Sequence, residues 1–235
     1  NALPGFTNRQ LARFVDKAAL TFEASLPYFG KKGVVTGNPV RKEFFEVPPK
    51  ERGEVAHLLI FGGSQGARAI NNAMTDALPH LGELKDRLTI THQTGEADFE
   101  KIRELYSRSD FPMADVRPFI ANMCEEFARS DLVICRAGAT TCAELAAAGK
   151  ASIMIPLPTA ADDHQRKNAK ALEEGGAAKM LLQADLNGEK LAELIRTTIG
   201  DAEKLSAMEA AAKAMGRADA AERTADLIEE LRNSI

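Results

Sequence analysis

Val55-Ala56-His57-Leu58-Leu59-Ile60-Phe61 is a nearly unbroken apolar run that ends on Gly62-Gly63-Ser64-Gln65-Gly66-Ala67-Arg68 and continues into helical spacing from Ala67 to about Leu78. Seven residues is strand length, and a run without polar alternation is buried on both faces. The pattern repeats along the chain. Leu132–Cys135 predicts a strand before a helix at Thr141–Ala148, and Ser152–Ile155 a strand before a helix at Gln165–Glu174. Further strands are expected at Leu88–Thr91, Asp115–Pro118 and Ala178–Leu182, with helices at Asp98–Tyr106 and Met123–Ala128. Continuous apolar strands separated by amphipathic helices predict a parallel sheet covered on both faces, a Rossmann-like α/β domain. The Ala- and Glu-rich stretch from Lys190 to Leu231 predicts two or three packing helices.

The first fifty residues read differently. Thr7 is expected to cap a helix running to about Ala18, and Lys32–Thr36 to form a short strand. Gly37-Asn38-Pro39 and Pro48-Pro49 with Gly53 are breaks before the main domain. This head carries a net charge of +4 against −8 for the remainder, within a total of −4. Too small to be a domain, it reads as the tail end of one, and the missing initiator Met implies that residue 1 does not start the natural protein. The acidic balance argues against general nucleic-acid binding. With 45% hydrophobic and 27% charged residues the chain can bury a core and is not a disordered tail. Cys124, Cys135 and Cys142, odd in number and set in apolar stretches, read as core residues in a reducing cytoplasm. No apolar run approaches the ~20 residues of a membrane span.

In open α/β sheets ligands bind beyond the carboxyl ends of the strands. Two such ends carry glycine turns. In the first, Gly62, Gly63 and Gly66 allow backbone N–H groups to approach an anion, while Ser64 and Gln65 add donors. Tight packing is an equal alternative. The GxGxxG and GxxxxGK[ST] spacings are both absent, which disfavours nicotinamide and a P-loop. The second turn is Arg136-Ala137-Gly138-Ala139-Thr140-Thr141. Glu144 lies one helical turn beyond its threonines, where a carboxylate can accept from both hydroxyls of a ribose or serve as the capping-box partner of Thr141.

A third cluster, Asp162-Asp163-His164-Gln165 with Asn168, follows Pro156-Leu157-Pro158 and can read sugar hydroxyls. Capping by either aspartate is the plainer account. His92, after a strand end, reads as packing, and His57 and His80 have no supporting context. No residue pair has zinc-ligand spacing, so no metal is assigned.

Gly37-Asn38-Pro39-Val40-Arg41, the Gly62–Arg68 turn, Arg136-Ala137-Gly138-Ala139-Thr140 through Glu144, and His164-Gln165-x-x-Asn168-Ala169 together resemble, in order and spacing, the MurG family of bacterial N-acetylglucosaminyltransferases. The opening Asn1–Arg9 is similar to that family's segment before its interdomain linker. The resemblance covers essentially the whole chain. It implies a GT-B carboxyl-terminal domain plus a remnant of the amino-terminal domain, divided as 1–36 (end of the acceptor-side domain and linker), 37–215 (UDP-N-acetylglucosamine-binding domain) and 216–235 (carboxyl-terminal helix). The implied reaction moves N-acetylglucosamine, with inversion, from UDP-N-acetylglucosamine to lipid-linked N-acetylmuramoyl-pentapeptide in peptidoglycan synthesis, with no cofactor and no metal. Carried over by position, Asn1, Arg41, Ser64, Gln65, the backbone at Ile120, Ala139, Thr140, Thr141 and Gln165 would touch the donor, and Glu144 its ribose.

The family's amino-terminal glycine loop, with its proposed histidine base, has no match, so these residues are expected to hold the donor site and to be inactive alone. The family also implies peripheral attachment to the cytoplasmic face of the membrane through the amino-terminal domain. Arg9, Arg13 and Lys17, at every fourth position, would form one basic stripe towards it, or a solvated helix face. Two other readings remain: another GT-B enzyme, such as a lipid glucosyltransferase or UDP-N-acetylglucosamine epimerase, or a nucleotide-sugar-binding subunit that needs a membrane partner.

Overall fold

The computed structural model describes residues 1–233. Residues 234 and 235, the end of the expected 216–235 segment, lie outside the described residues. Six strands, β3 (Ala56–Phe61), β4 (Leu88–Gln93), β5 (Asp115–Arg117), β6 (Leu132–Cys135), β7 (Ser152–Met154) and β8 (Ala178–Met180), pair in the order β5-β4-β3-β6-β7-β8, all parallel. Between and after them run α2 (Arg68–Ala77), α3 (Phe99–Ser107), α4 (Met123–Arg129), α5 (Ala139–Ala148), α6 (His164–Glu174), α7 (Gly188–Ile199), α8 (Ala202–Met215) and α9 (Ala220–Asn233). Every strand of the expected series is present, and the Lys190–Leu231 stretch falls into three helices.

The apolar runs behave as two-faced strands. Leu58, Ile60, Leu132 and Ile134 join one core cluster, with Ile70, Met74, Leu191 and Ile195 of α2 and α7. Their neighbours Leu59, Phe61, Val133 and Cys135 join the other, with Leu145, Leu172 and Phe127 of α5, α6 and α4. The side-chain period of two thus divides each strand between two helical layers. This is the α/β, GT-B-like sheet with helices on both sides.

The head departs from expectation. Its helix α1 covers only Phe6–Leu11, starts from Gly5 with no side-chain cap, and leaves Ala18 in a strand. Arg13 and Lys17 therefore lie beyond the helix, and the expected one-helix basic stripe with Arg9 does not form. Strand β1 (Ala18–Leu20) pairs in parallel with β2 (Gly33–Val35) as a separate two-stranded sheet. The fully buried side chain of Asn168 ties this head to the body. Asn168 Oδ1 accepts from Ala2 N at 2.9 Å, and its Nδ2 donates to Asn1 Oδ1 at 3.2 Å and to Ala137 O at 3.0 Å.

The cysteines are free. Cys135 and Cys142 are buried, and burial pushes the Cys142 thiol up to about 12; Cys124 is only half-buried.

Candidate donor-binding site

The strand order reverses direction between β3 and β6, which pair Phe61 with Cys135 at their carboxyl ends. A crevice must open there, because the connections leave to opposite sides. Both glycine turns sit at this point. A cavity of about 500 Å³ lies between them, lined by Gly62, Gly63, Gly66, Gly138, Thr141 and Gln165 from the sequence-derived set. Arg68, Arg136, Leu157 and Gln183 also line it.

The four glycines are not equivalent. A Cβ on Gly62 would lie 2.2 Å from Ala67 Cβ, and one on Gly66 1.8 Å from Thr94 O, so these two serve backbone packing. A Cβ on Gly63 would meet nothing within 4 Å, and one on Gly138 nothing nearer than Thr141 Oγ1 at 3.7 Å. Open space therefore faces Gly63 and Gly138. Packing accounts for Gly62 and Gly66, whereas Gly63 and Gly138 leave room beside the backbone.

Helix α5 begins at Ala139, two residues earlier than expected, with Gly138 as its N-cap and no side-chain cap. The Thr141–Glu144 capping box is thus not formed. Its first N–H groups are left for a ligand, since the first intrahelical bond in this turn is Cys142 N to Gly138 O at 2.9 Å. Glu144 is half-buried, and its carboxylate accepts no hydrogen bond from the described residues. Burial pushes its carboxyl up, and the Arg41 guanidinium pulls it back in part. Arg41 itself lies with its guanidinium carbon 5.0 Å from the Phe44 ring centroid.

Gln165 is fixed by its oxygen, which accepts from Ala137 N at 3.3 Å and Leu157 N at 3.0 Å, leaving its –NH₂ for a ligand. Ser64, Gln65 and Thr140 are exposed at the turns. Ile120 is buried, its N–H given to Gln93 Oε1 at 2.8 Å. Asn1 is exposed and joins through Asn168.

The third cluster differs from the capping account. Asp162 and Asp163 both adopt left-handed backbone, φ 54° and 55°, and neither caps α6. Asp162 instead pairs with Arg9 at 3.1 Å, and Asp163 with Arg166 at 3.7 Å. His164 Nδ1 is 2.7 Å from Ala161 O.

Three features escaped the sequence reading. Arg136 is held by Ile155 O, Pro156 O and Gln183 Oε1, bracing the ends of β6 and β7. Asn168 was grouped with side chains that can read sugar hydroxyls, and its bonds to Asn1 and Ala2 went unforeseen. Gln93 went unremarked; with His92 it closes β4 with polar side chains in a largely buried strand, the one sequence signal available for it. His92, fully buried, has its ring between Tyr106 OH at 3.0 Å and Asn71 Oδ1 at 3.1 Å, and burial lowers its pKa to about 3. Asn71 Nδ2 donates to Thr94 O and Asp98 Oδ2, so its oxygen must accept from His92 Nε2–H, which makes Nδ1 the acceptor for Tyr106. His92 is a neutral packing residue, as expected. Among the described residues no group of three His, Cys, Asp or Glu side chains could hold a metal ion.

The family model described as "Glycosyltransferase family 28 C-terminal domain" matches residues 57–224. The chain belongs to this family. It is 47% identical over 232 residues to a protein of Solibacter usitatus and 50% identical over 224 residues to one of Syntrophotalea carbinolica. Both are named UDP-N-acetylglucosamine--N-acetylmuramyl-(pentapeptide) pyrophosphoryl-undecaprenol N-acetylglucosamine transferase. These alignments cover 98% and 95% of the chain but only 63% and 62% of the relatives' length. The Acinetobacter baumannii MurG crystal structure superposes with a TM-score of 0.82 at 35% identity, over 98% of this chain and 65% of that one. A Staphylococcus aureus MnaA–UDP structure shares the fold alone, with a TM-score of 0.68 at 16% identity. The family 28 domain places both glycine turns and Glu144 inside its matched span.

Proposed function

We propose that the chain is the donor-binding portion of an inverting N-acetylglucosaminyltransferase. It would hold UDP-N-acetylglucosamine while a hydroxyl of a lipid-linked N-acetylmuramoyl-pentapeptide attacks the anomeric carbon and UDP leaves. The observation that carries this is the uncapped start of α5 facing open space at the strand-order reversal, with an unbonded, half-buried Glu144 one turn further along. A diphosphate suits the free N–H groups, and a ribose diol suits a carboxylate. A helix end contributes only about 0.3–1 kcal/mol when exposed and up to ~2 when partly buried. Charge-assisted bonds of about 1.5–3 kcal/mol each, from Ser64, Gln65, Thr140 and Arg41, would supply more. Gln165 would offer its –NH₂ to the sugar, and Asn1 would reach the donor from the head.

Similarity to the two named transferases supports the choice of sugar and acceptor. The acceptor site and base would lie in the part of those relatives that the chain does not span, as would attachment to the cytoplasmic membrane face in peptidoglycan synthesis. No helix of the described residues is long and apolar enough to cross a membrane.

Calorimetry tests the reading. The chain is expected to bind UDP and UDP-N-acetylglucosamine in preference to other sugar nucleotides, and by itself to transfer no sugar. Glu144→Ala is expected to weaken UDP by about 1–3 kcal/mol with the fold intact. Unchanged UDP affinity in that variant would remove Glu144 from the site, and turnover by the chain alone would refute the missing-base argument.

A further inference from the structure

Gln93 ends β4 and is only 2% exposed. Its Nε2 donates to Gly63 O at 2.8 Å and its Oε1 accepts from Ile120 N at 2.8 Å. One planar amide thus links the glycine turn after β3 to the loop after β5. We propose that Gln93 is a positioning residue that sets the spacing of these two loops, so that a nucleoside diphosphate spanning them meets both in register. The proposal rests on the donor-site reading above and names what holds that site in shape.

Three observations carry it. Gly63 O also accepts from Gly66 N at 2.9 Å, so the carbonyl that closes the turn is the one Gln93 anchors. The far side of the turn is seated on the end of β4, where a Cβ on Gly95 would lie 2.3 Å from Gln65 O and one on Gly66 1.8 Å from Thr94 O. The near side, at Gly63, is open. On the other flank, Thr94 N and Gly95 N donate to Arg117 O and Pro118 O at 3.0 and 3.1 Å, leading the chain to Ile120. The end of β4 is therefore a fixed post with a loop fastened to each side, and Gln93 is its side-chain fastening to both. The Ile120 bond is buried and the Gly63 bond partly so, and two opposed partners hold a long side chain in one rotamer.

Gln93→Met keeps the length and removes both bonds; Gln93→Asn keeps an amide too short to reach both loops. NMR titrations of wild type and variants with UDP, uridine and inorganic diphosphate test the spacing directly. A ligand that spans both loops depends on their separation, whereas a ligand of one loop does not. UDP is expected to weaken about tenfold in either variant, while uridine and inorganic diphosphate change by less than about twofold. Unchanged UDP affinity, or equal losses for all three ligands, would overturn the proposal; equal losses would mean general damage. If wild type binds no UDP, the donor-site reading fails, and amide exchange then decides the brace alone. Faster exchange at both Ile120 and Gly66 in Gln93→Met supports it, and unchanged exchange overturns it.

Discussion

Glu144, proposed above to meet the ribose, costs the fold that carries it. Its carboxyl is raised by burial and only partly drawn back by Arg41. An acid whose pKa is higher folded than unfolded contributes stability below the unfolded value and loses it as pH rises through the folded value. At neutral pH the ionised side chain is therefore a liability to folding. Glu144→Gln is expected to melt at a higher temperature than wild type near pH 7, with the gap closing in acid below the unfolded carboxyl range, while its UDP affinity falls at neutral pH. Thermal melts at the two pH values and a UDP titration measure this. A lower melting temperature for the Gln variant near pH 7 would contradict the burial argument. Opposite signs for stability and binding mark a group kept for its ligand.

At the level of elements, the three helices that frame the cavity, α2, α5 and α6, carry no side-chain cap, as is also true of α1 and α3 away from it, whereas α4, α7 and α8 are capped by Asn122, Asn187 and Asp201. An uncapped helix start keeps its N–H groups for an anion. Gly138 tests this, because its φ of −64° and ψ of 148° suit any residue and its Cβ position is nearly empty. Gly138→Ala loses about 0.5–1 kcal/mol as an N-cap and regains about 0.4–1 through the unfolded chain, so its melting temperature should hardly move. UDP affinity should fall, because the new methyl occupies the approach to the N–H groups; unchanged affinity would make Gly138 a plain cap. These starts were only partly legible in sequence. Leu132–Cys135 was read to the residue, since four apolar residues between polar ones admit one register. Thr141 looked like a cap because its spacing to Glu144 fits one, and only the backbone reveals that the helix starts earlier. Likewise α1 looked longer than it is: its periodicity runs on past Leu11, but the chain turns away to form β1.

Over the whole molecule, sheet order puts the two glycine turns side by side though they lie over seventy residues apart, and no local pattern could state that pairing. The fold class was legible because burial on both faces writes itself into every strand. The long-range amide contacts were not, since they join residues with no sequence relation. Two contacts between the start of the chain and α6 with the segment before it differ in strength. The Arg9–Asp162 pair is about one-third exposed on each side, so Arg9→Ala should cost only about 0.2–1 kcal/mol. Asn168 is fully buried, and Asn168→Ala would strand Ala2 N–H and Ala137 O without partners. At about 1–3 kcal/mol for each stranded group, the loss should reach about 2–6 kcal/mol. It should also loosen the turn at Ala137, whose N–H is held by Gln165 and whose carbonyl is held by Asn168. Urea unfolding with amide exchange in β1 and β2 would measure both effects. The Asn168 variant is expected to lose global stability and head protection together, and the Arg9 variant little of either; equal losses in the two would mean that the head is held by its surface charge and not by the buried amide.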